Sequence, residues 1–174
     1  LYYMESDSMS VETMMHNIDG FSTSSDAGAC FRCIYTGKMG YAIAEEFASQ
    51  GAEVTLISGP VSLSCSSKIK RIDVTTAVEM CEVAKEEFAK ADIAVMCAAV
   101  ADYAPKQYSE TKIKRSGEMT IELVPNPDIA ATLGAVKRPD QILAGFALET
   151  NDEEANAQAK LAKKNLDYIV LNSL

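Results

Sequence analysis

Residues 92–115 read DIAVMCAAVADYAPKQYSETKIKR. After its aspartate, DIAVMC (92–97) is continuous and apolar, the pattern of a strand buried on both faces of a parallel sheet. Ligands in open α/β sheets bind just beyond the carboxyl ends of such strands, so the residues that follow are candidates for a nucleotide site. Ala98 and Ala99 leave room for a ligand against the backbone. Asp102 offers two acceptors, and Lys112, Lys114 and Arg115 can face phosphates. A surface loop with a solvated charge run has the same composition, and the stretch alone leaves both readings open.

Working outward, the pattern repeats. Gly37-Lys38-Met39-Gly40 opens a helix through about Gln50, Gly51 can end it, and EVTLIS (53–58) is a strand closed by Gly59-Pro60. Thr76 and Glu79 have capping-box spacing, and Ala77, Cys81, Ala84 and Phe88 share one helix face ahead of the 92–97 strand. KIKRSGEMTIELV (112–124) is expected to form a hairpin turning at Ser116-Gly117, with Met119, Ile121 and Leu123 alternating on its second arm. Asn126-Pro127-Asp128 reads as N-cap, first helical position and first-turn acid of a helix to about Val136. QILAGFA (141–147) is the next strand. Thr150 and Glu153 form another capping box, for a helix ending in Lys160, Lys163 and Lys164, and DYIVL (167–171) is the last strand. Helices alternating with apolar strands predict a doubly wound, mainly parallel α/β sheet of Rossmann-like type.

Residues 1–35 differ: they are rich in Ser and Met and have no sustained period, so we expect a poorly ordered leader followed by a domain at 36–174. The chain has 174 residues, enough for one core, and 48% are hydrophobic. A formal net charge of −9 argues against a general binder of nucleic acid or membranes, which needs a basic face. No run approaches a membrane span and no signal core is evident, so the expected location is cytoplasmic. Five scattered cysteines (Cys30, Cys33, Cys65, Cys81, Cys97) do not suggest a disulfide framework. Cys30-x-x-Cys33 lacks partners for zinc, the only histidine being His16, and shows no strand-to-helix setting for redox chemistry. No metal site is expected.

The glycine loop at 36–40 matches neither standard phosphate fingerprint: Met39 stands where a P-loop needs Ser or Thr, and GxGxxG is absent. A structural helix entry and an anion loop both fit it. Tyr108-x-x-x-Lys112 copies the catalytic spacing of short-chain dehydrogenases, but it follows Pro105 and runs into the expected hairpin rather than sharing a helix face. Lys160 and Lys164 lie one turn apart, which suits a helix C-terminus as well as an anion.

In order, GKMGYAIAEEFASQGAEVTLISGPVSL, CAAVADYAPKQYSETKIK, NPDI, GFALETN and KNLDYIVLN resemble the phosphopantothenate–cysteine ligase domain, over residues 36 to 174. In bacteria that domain is the C-terminal half of a bifunctional protein whose other half is a decarboxylase. The resemblance implies CTP-dependent joining of 4′-phosphopantothenate to cysteine through an acyl-cytidylate, in coenzyme A synthesis. It implies Mg2+ on the triphosphate, FMN only where a decarboxylase half is fused, and a homodimer. A nicotinamide-dependent reductase and a degenerate nucleotide-binding module are the alternatives.

Carried over residue by residue, the resemblance implies nucleotide contacts at Met96, Cys97, Ala98, Asp102, Lys112, Pro127, Asp128, Ile129, Ala130, Phe146, Lys160 and Lys164. It places the substrate near Gly37, Ala98 and Ala99 and gives Lys112 the catalytic role on the transferring phosphate. The sequence departs from the family where Cys33 stands at the position of an asparagine used in the acyl-cytidylate step, and where Thr36 replaces a serine. The family's first strand and its C-terminal strands are expected to be missing, and catalysis impaired.

Overall fold

The computed structural model describes residues 2–4, 30–35, 38–114, 117–149 and 151–173. In chain order the elements are β1 (Tyr2–Met4), β2 (Cys30–Tyr35), α1 (Lys38–Ser49), β3 (Glu53–Ser58), β4 (Lys70–Asp73), α2 (Ala77–Phe88), β5 (Ile93–Met96), β6 (Tyr103–Pro105), β7 (Leu123–Pro125), α3 (Ile129–Val136), β8 (Ile142–Glu149), α4 (Glu153–Lys163) and β9 (Tyr168–Ser173). The short apolar runs become strands of one parallel sheet ordered β1-β9-β8-β5-β2-β3-β4, while β6 and β7 form a separate antiparallel ribbon. From β2 the chain winds outward one way through β3 and β4. It then crosses back and winds the other way through β5, β8 and β9, the doubly wound order expected.

Alternation along the strands divides the core between the two faces. Val54, Leu56, Ile93 and Val95 pack with Tyr41, Ile43, Ala44 and Phe47 of α1. Ile57, Ala94, Leu143 and Ile169 pack with Phe88 of α2, Leu133 of α3 and Ala157 of α4. Phe47 and Phe88 are each 1% exposed, and burying such a side chain contributes about 2–3 kcal/mol. Among the described residues no helix is long and apolar enough to cross a membrane.

Helix ends follow local chemistry. Gly51, at φ 91, lets α1 close with Gly51 N–H on the Ala48 carbonyl and Ala52 N–H on that of Phe47. Thr76 caps α2, its hydroxyl accepting from Glu79 N–H at 3.1 Å. The Glu79 carboxylate, however, reaches the backbone N–H and hydroxyl of Thr75, one residue before the expected partner.

Several expectations change. A strand does precede the glycine loop: β2 lies in the middle of the sheet between β3 and β5, and β1 pairs with β9 at one edge, so two strands fall within the expected leader. Residues 5–29 of the expected leader lie outside the described residues. Asp128, not Asn126, caps α3, its side chain accepting from Ala131 N–H, and Pro127 precedes the helix. The helix after β8 starts at Asp152, at φ 45 and without a side-chain cap bond; Thr150 lies outside the described residues. The excursion at 112–124 pairs only at its root, through β6 and β7, because residues 106–122 form no strand where described. Its turn at Ser116 and the cation Arg115 are outside the described residues.

Candidate functional site

Small residues after β5 make space. Beyond Met96 the chain runs through Ala98, Val100, Ala101 and Asp102 without forming a helix, and these residues wall a cleft of about 210 Å³. Asn126, Pro127, Asp128, Ile129 and Ala130, at the entry to α3, form the facing wall. Gly145 and Phe146 of β8, with Leu166 and Ile169, make the floor. A Cβ on Gly145 would stand 2.9 Å from Leu166 Cδ1, so glycine there lets the floor pack closely.

Lys160 and Lys164, from the end of α4, complete the lining. That end is a Schellman turn with Asn165 at φ 51: Asn165 N–H donates to the Ala162 carbonyl and Leu166 N–H to that of Leu161. The Asn165 side chain donates to the Gly134 carbonyl of α3 at 2.8 Å, which fixes the lysines relative to the opposite wall.

Both lysines already have carboxylate partners. Lys160 Nζ contacts Glu149 Oε1, and Lys164 Nζ lies 3.1 Å from Asp128 Oδ2. Burial pushes the Asp128 carboxyl up, but the Ala131 N–H and the Lys164 ammonium outweigh it, and its pKa stays below the ordinary aspartate value. With Asp102 added, three carboxylates stand at the cleft against two lysines.

Ten residues expected from the sequence therefore line one cleft: Met96, Ala98, Asp102, Pro127, Asp128, Ile129, Ala130, Phe146, Lys160 and Lys164. Cys97 and Ala99 adjoin it without lining it, and Lys112 sits exposed on the excursion between β6 and β7. Gly37 lies outside the described residues. Cys33 is inside β2, opposite Leu56 and Val95, rather than in a loop over the cleft. Tyr108, 90% exposed, and Lys112 share no helix, so the dehydrogenase spacing has no structural counterpart. Sequence reasoning missed Val100, Ala101, Asn126, Gly145, Leu166 and Ile169 as lining residues; Gly145 carried a signal as a glycine inside a strand, and Asn126 was read only as a helix cap.

Residues 32–174 match the model of the family described as DNA/pantothenate metabolism flavoprotein C-terminal domain. The chain is 57% identical over 141 residues to a protein named cysteine/cysteine sulfinic acid decarboxylase from an unknown prokaryotic organism, covering 80% of this chain and 39% of that one. It is 46% identical over 142 residues to the coenzyme A biosynthesis bifunctional protein CoaBC of Vibrio parahaemolyticus, covering 80% of this chain and 36% of that protein. With the CoaBC of Escherichia coli K12 the identity is 45% over 143 residues, covering 80% and 35%. The chain thus spans little more than a third of these relatives. Among solved structures, the C-terminal domain of a CoaBC superposes with a TM-score of 0.71 at 33% identity, covering 82% of this chain and 77% of that one. The family match and these relatives agree with the fold and the motif order, and the chain belongs to the DNA/pantothenate metabolism flavoprotein C-terminal domain family, that of the phosphopantothenate–cysteine ligase domain of coenzyme A biosynthesis.

Proposed function

We propose that the cleft binds CTP, carried with Mg2+ on its triphosphate, and that the domain uses it to ligate 4′-phosphopantothenate to cysteine. One observation carries this reading: ten residues from separate segments, each assigned to CTP by resemblance, line a single cleft beyond the strand ends. Backbone groups at 127–130 would meet the base, Asp102 the ribose, and Lys160 and Lys164 the phosphates. The substrate carboxylate attacks the α-phosphorus as the bond to pyrophosphate breaks. The cysteine amine then attacks the acyl carbon and CMP leaves. A carboxylate resists amines whereas the mixed anhydride does not, and Lys112 would stabilise charge on the transferring phosphate.

The charge balance of the cleft supports a cation-bearing nucleotide. Because Glu149 and Asp128 already offset the two lysines, a triphosphate gains little from the walls alone. Magnesium on the triphosphate and Lys112 from the excursion would supply the missing positive charge. A cytoplasmic homodimer, with impaired catalysis in the absence of the family's asparagine, belongs to the same proposal.

Thermal unfolding with Mg·CTP, Mg·ATP or NADPH tests the reading. Saturating Mg·CTP is expected to raise Tm by roughly 5 °C, and Lys160→Ala, which leaves the Glu149 carboxylate without its ammonium near the phosphates, to abolish most of that shift. A shift with NADPH and none with Mg·CTP would overturn the ligase assignment. For impaired catalysis, Cys33→Asn should raise pyrophosphate release from CTP in the presence of phosphopantothenate. Equal release from both proteins would refute the impairment.

A further inference from the structure

Asn126 is the residue of the Asn-Pro-Asp motif that the helix does not use. Since Asp128 caps α3, the Asn126 amide turns elsewhere: Nδ2 donates to the Ala101 carbonyl at 2.8 Å, and its backbone N–H donates to the Asp102 carbonyl at 2.8 Å. Two successive carbonyls of the loop carrying Asp102 are thereby held by one residue of the opposite cleft wall.

These bonds also lie at the root of the β6–β7 ribbon. Tyr103 pairs with Pro125, immediately beside them, while Lys106 N–H donates to the Glu122 carbonyl at 2.9 Å at the ribbon's other end. Pro125 and Pro127 have no N–H, so Asn126, just past β7, is the residue between them able to donate to the loop. The side-chain type matters: aspartate has the same shape but only acceptors at neutral pH, and would face the Ala101 carbonyl with a repulsive oxygen.

The geometry assigns Asn126 the role of a positioning residue, one that sets Asp102 in the cleft and anchors the excursion that bears Lys112. The effect on nucleotide binding rests on the ligase reading above; the anchoring itself does not. Two measurements on the full chain separate them. In the ligand-free protein, Asn126→Asp is expected to speed amide hydrogen exchange across 102–106 and 122–126 by about tenfold, the loss of one hydrogen bond and the gain of a repulsion, with the core of α3 unchanged. Unchanged exchange at those amides would overturn the anchoring role.

Mg·CTP affinity is then measured in a double-mutant cycle with Asp102→Ala. Asn126→Asp should weaken binding about tenfold in the otherwise unaltered chain, a loss of about 1.4 kcal/mol, and less than about twofold once Asp102 is gone. Equal losses in both backgrounds would show that Asn126 does not act through Asp102. If the unaltered chain binds no Mg·CTP, the ligase reading fails, and exchange still decides the anchoring role.

Discussion

At the carboxyl ends of β3 and β4 side chains close the surface, whereas at that of β5, over Gly145 and Phe146 of β8 and Ile169 of β9, they leave a cleft. In the closed half, β3 ends in Ser58, which is 0% exposed and donates to the Gly59 carbonyl, so the Tyr41 hydroxyl, 2.8 Å away, donates to Ser58. Arg71 lies over the Tyr41 ring, 5.5 Å from its centroid, and donates to the Leu63 carbonyl and to Asp73. The Glu45 carboxylate takes the Ser66 N–H at 2.6 Å, drawing the loop after β3 toward α1. In the open half Ala98 and Ala101 follow the end of β5 and Gly145 of β8 lies beside that end, opposite Met96, all too small to reach across. Residue size at the strand ends, more than the strand order common to both halves, decides where a ligand fits.

The largest expected effect tests the frame of the open half. A Cβ on Gly134 would run into the Lys164 carbonyl at the α3–α4 junction. Gly134→Ala should cost about 3 kcal/mol in urea unfolding and remove protection by Mg·CTP, because backbone rather than a flexible side chain must give way. Stability within about 0.5 kcal/mol of the unaltered chain would mean the two walls are not rigidly joined.

Tyr41→Phe tests the closed half. It leaves the buried Ser58 oxygen without its donor and should cost about 1 kcal/mol, with the Mg·CTP shift unchanged. A loss of nucleotide protection would show that the two halves are coupled.

The smallest effect concerns Asp128. Its folded pKa lies below its ordinary value of 3.8, so the charged form's contribution is complete above that value and fades as pH falls through the lower folded one. Asp128→Asn keeps the cap and removes the charge. It should flatten the acid limb of stability below about pH 4 by roughly 0.5 kcal/mol, since the carboxylate is partly exposed and screened. An identical acid limb would place the stabilising charge elsewhere.

What was legible in the sequence follows the same division. β3, β5, β8 and β9 are apolar runs with turn residues between them, and the cleft lay where such runs meet small residues. β2 was hidden because Arg32 breaks its apolar run, leaving CFRCIY without a clear period. β4 was hidden because Lys-Arg-Ile-Asp is a charged edge strand. The cap of α3 was misplaced by two residues: Asn126 and Asp128 are equally good N-caps, and the choice is made by Ala101, far away in the chain. Family resemblance identified the cleft lysines and Asp128, but not that Lys160 pairs with Glu149 and Lys164 with Asp128, because ion pairing depends on the end of α4 meeting β8 and α3.

Strand order also governs how the chain can assemble. β2 meets β3, and β8 meets β9, across short stretches of sequence. β5 must find β2 on one side and β8 on the other, as in Phe31↔Ile93 and Ile93↔Ile142. Only the edge pairing of β1 with β9 reaches farther among the described strands; loop closure penalises such distant pairings, which makes β5 the keystone between two locally formed halves. The loop from Ala98 to Asp102 hangs from its end, so the cleft is built only when β5 docks. A ligand gripping that loop should slow unfolding more than it hastens folding.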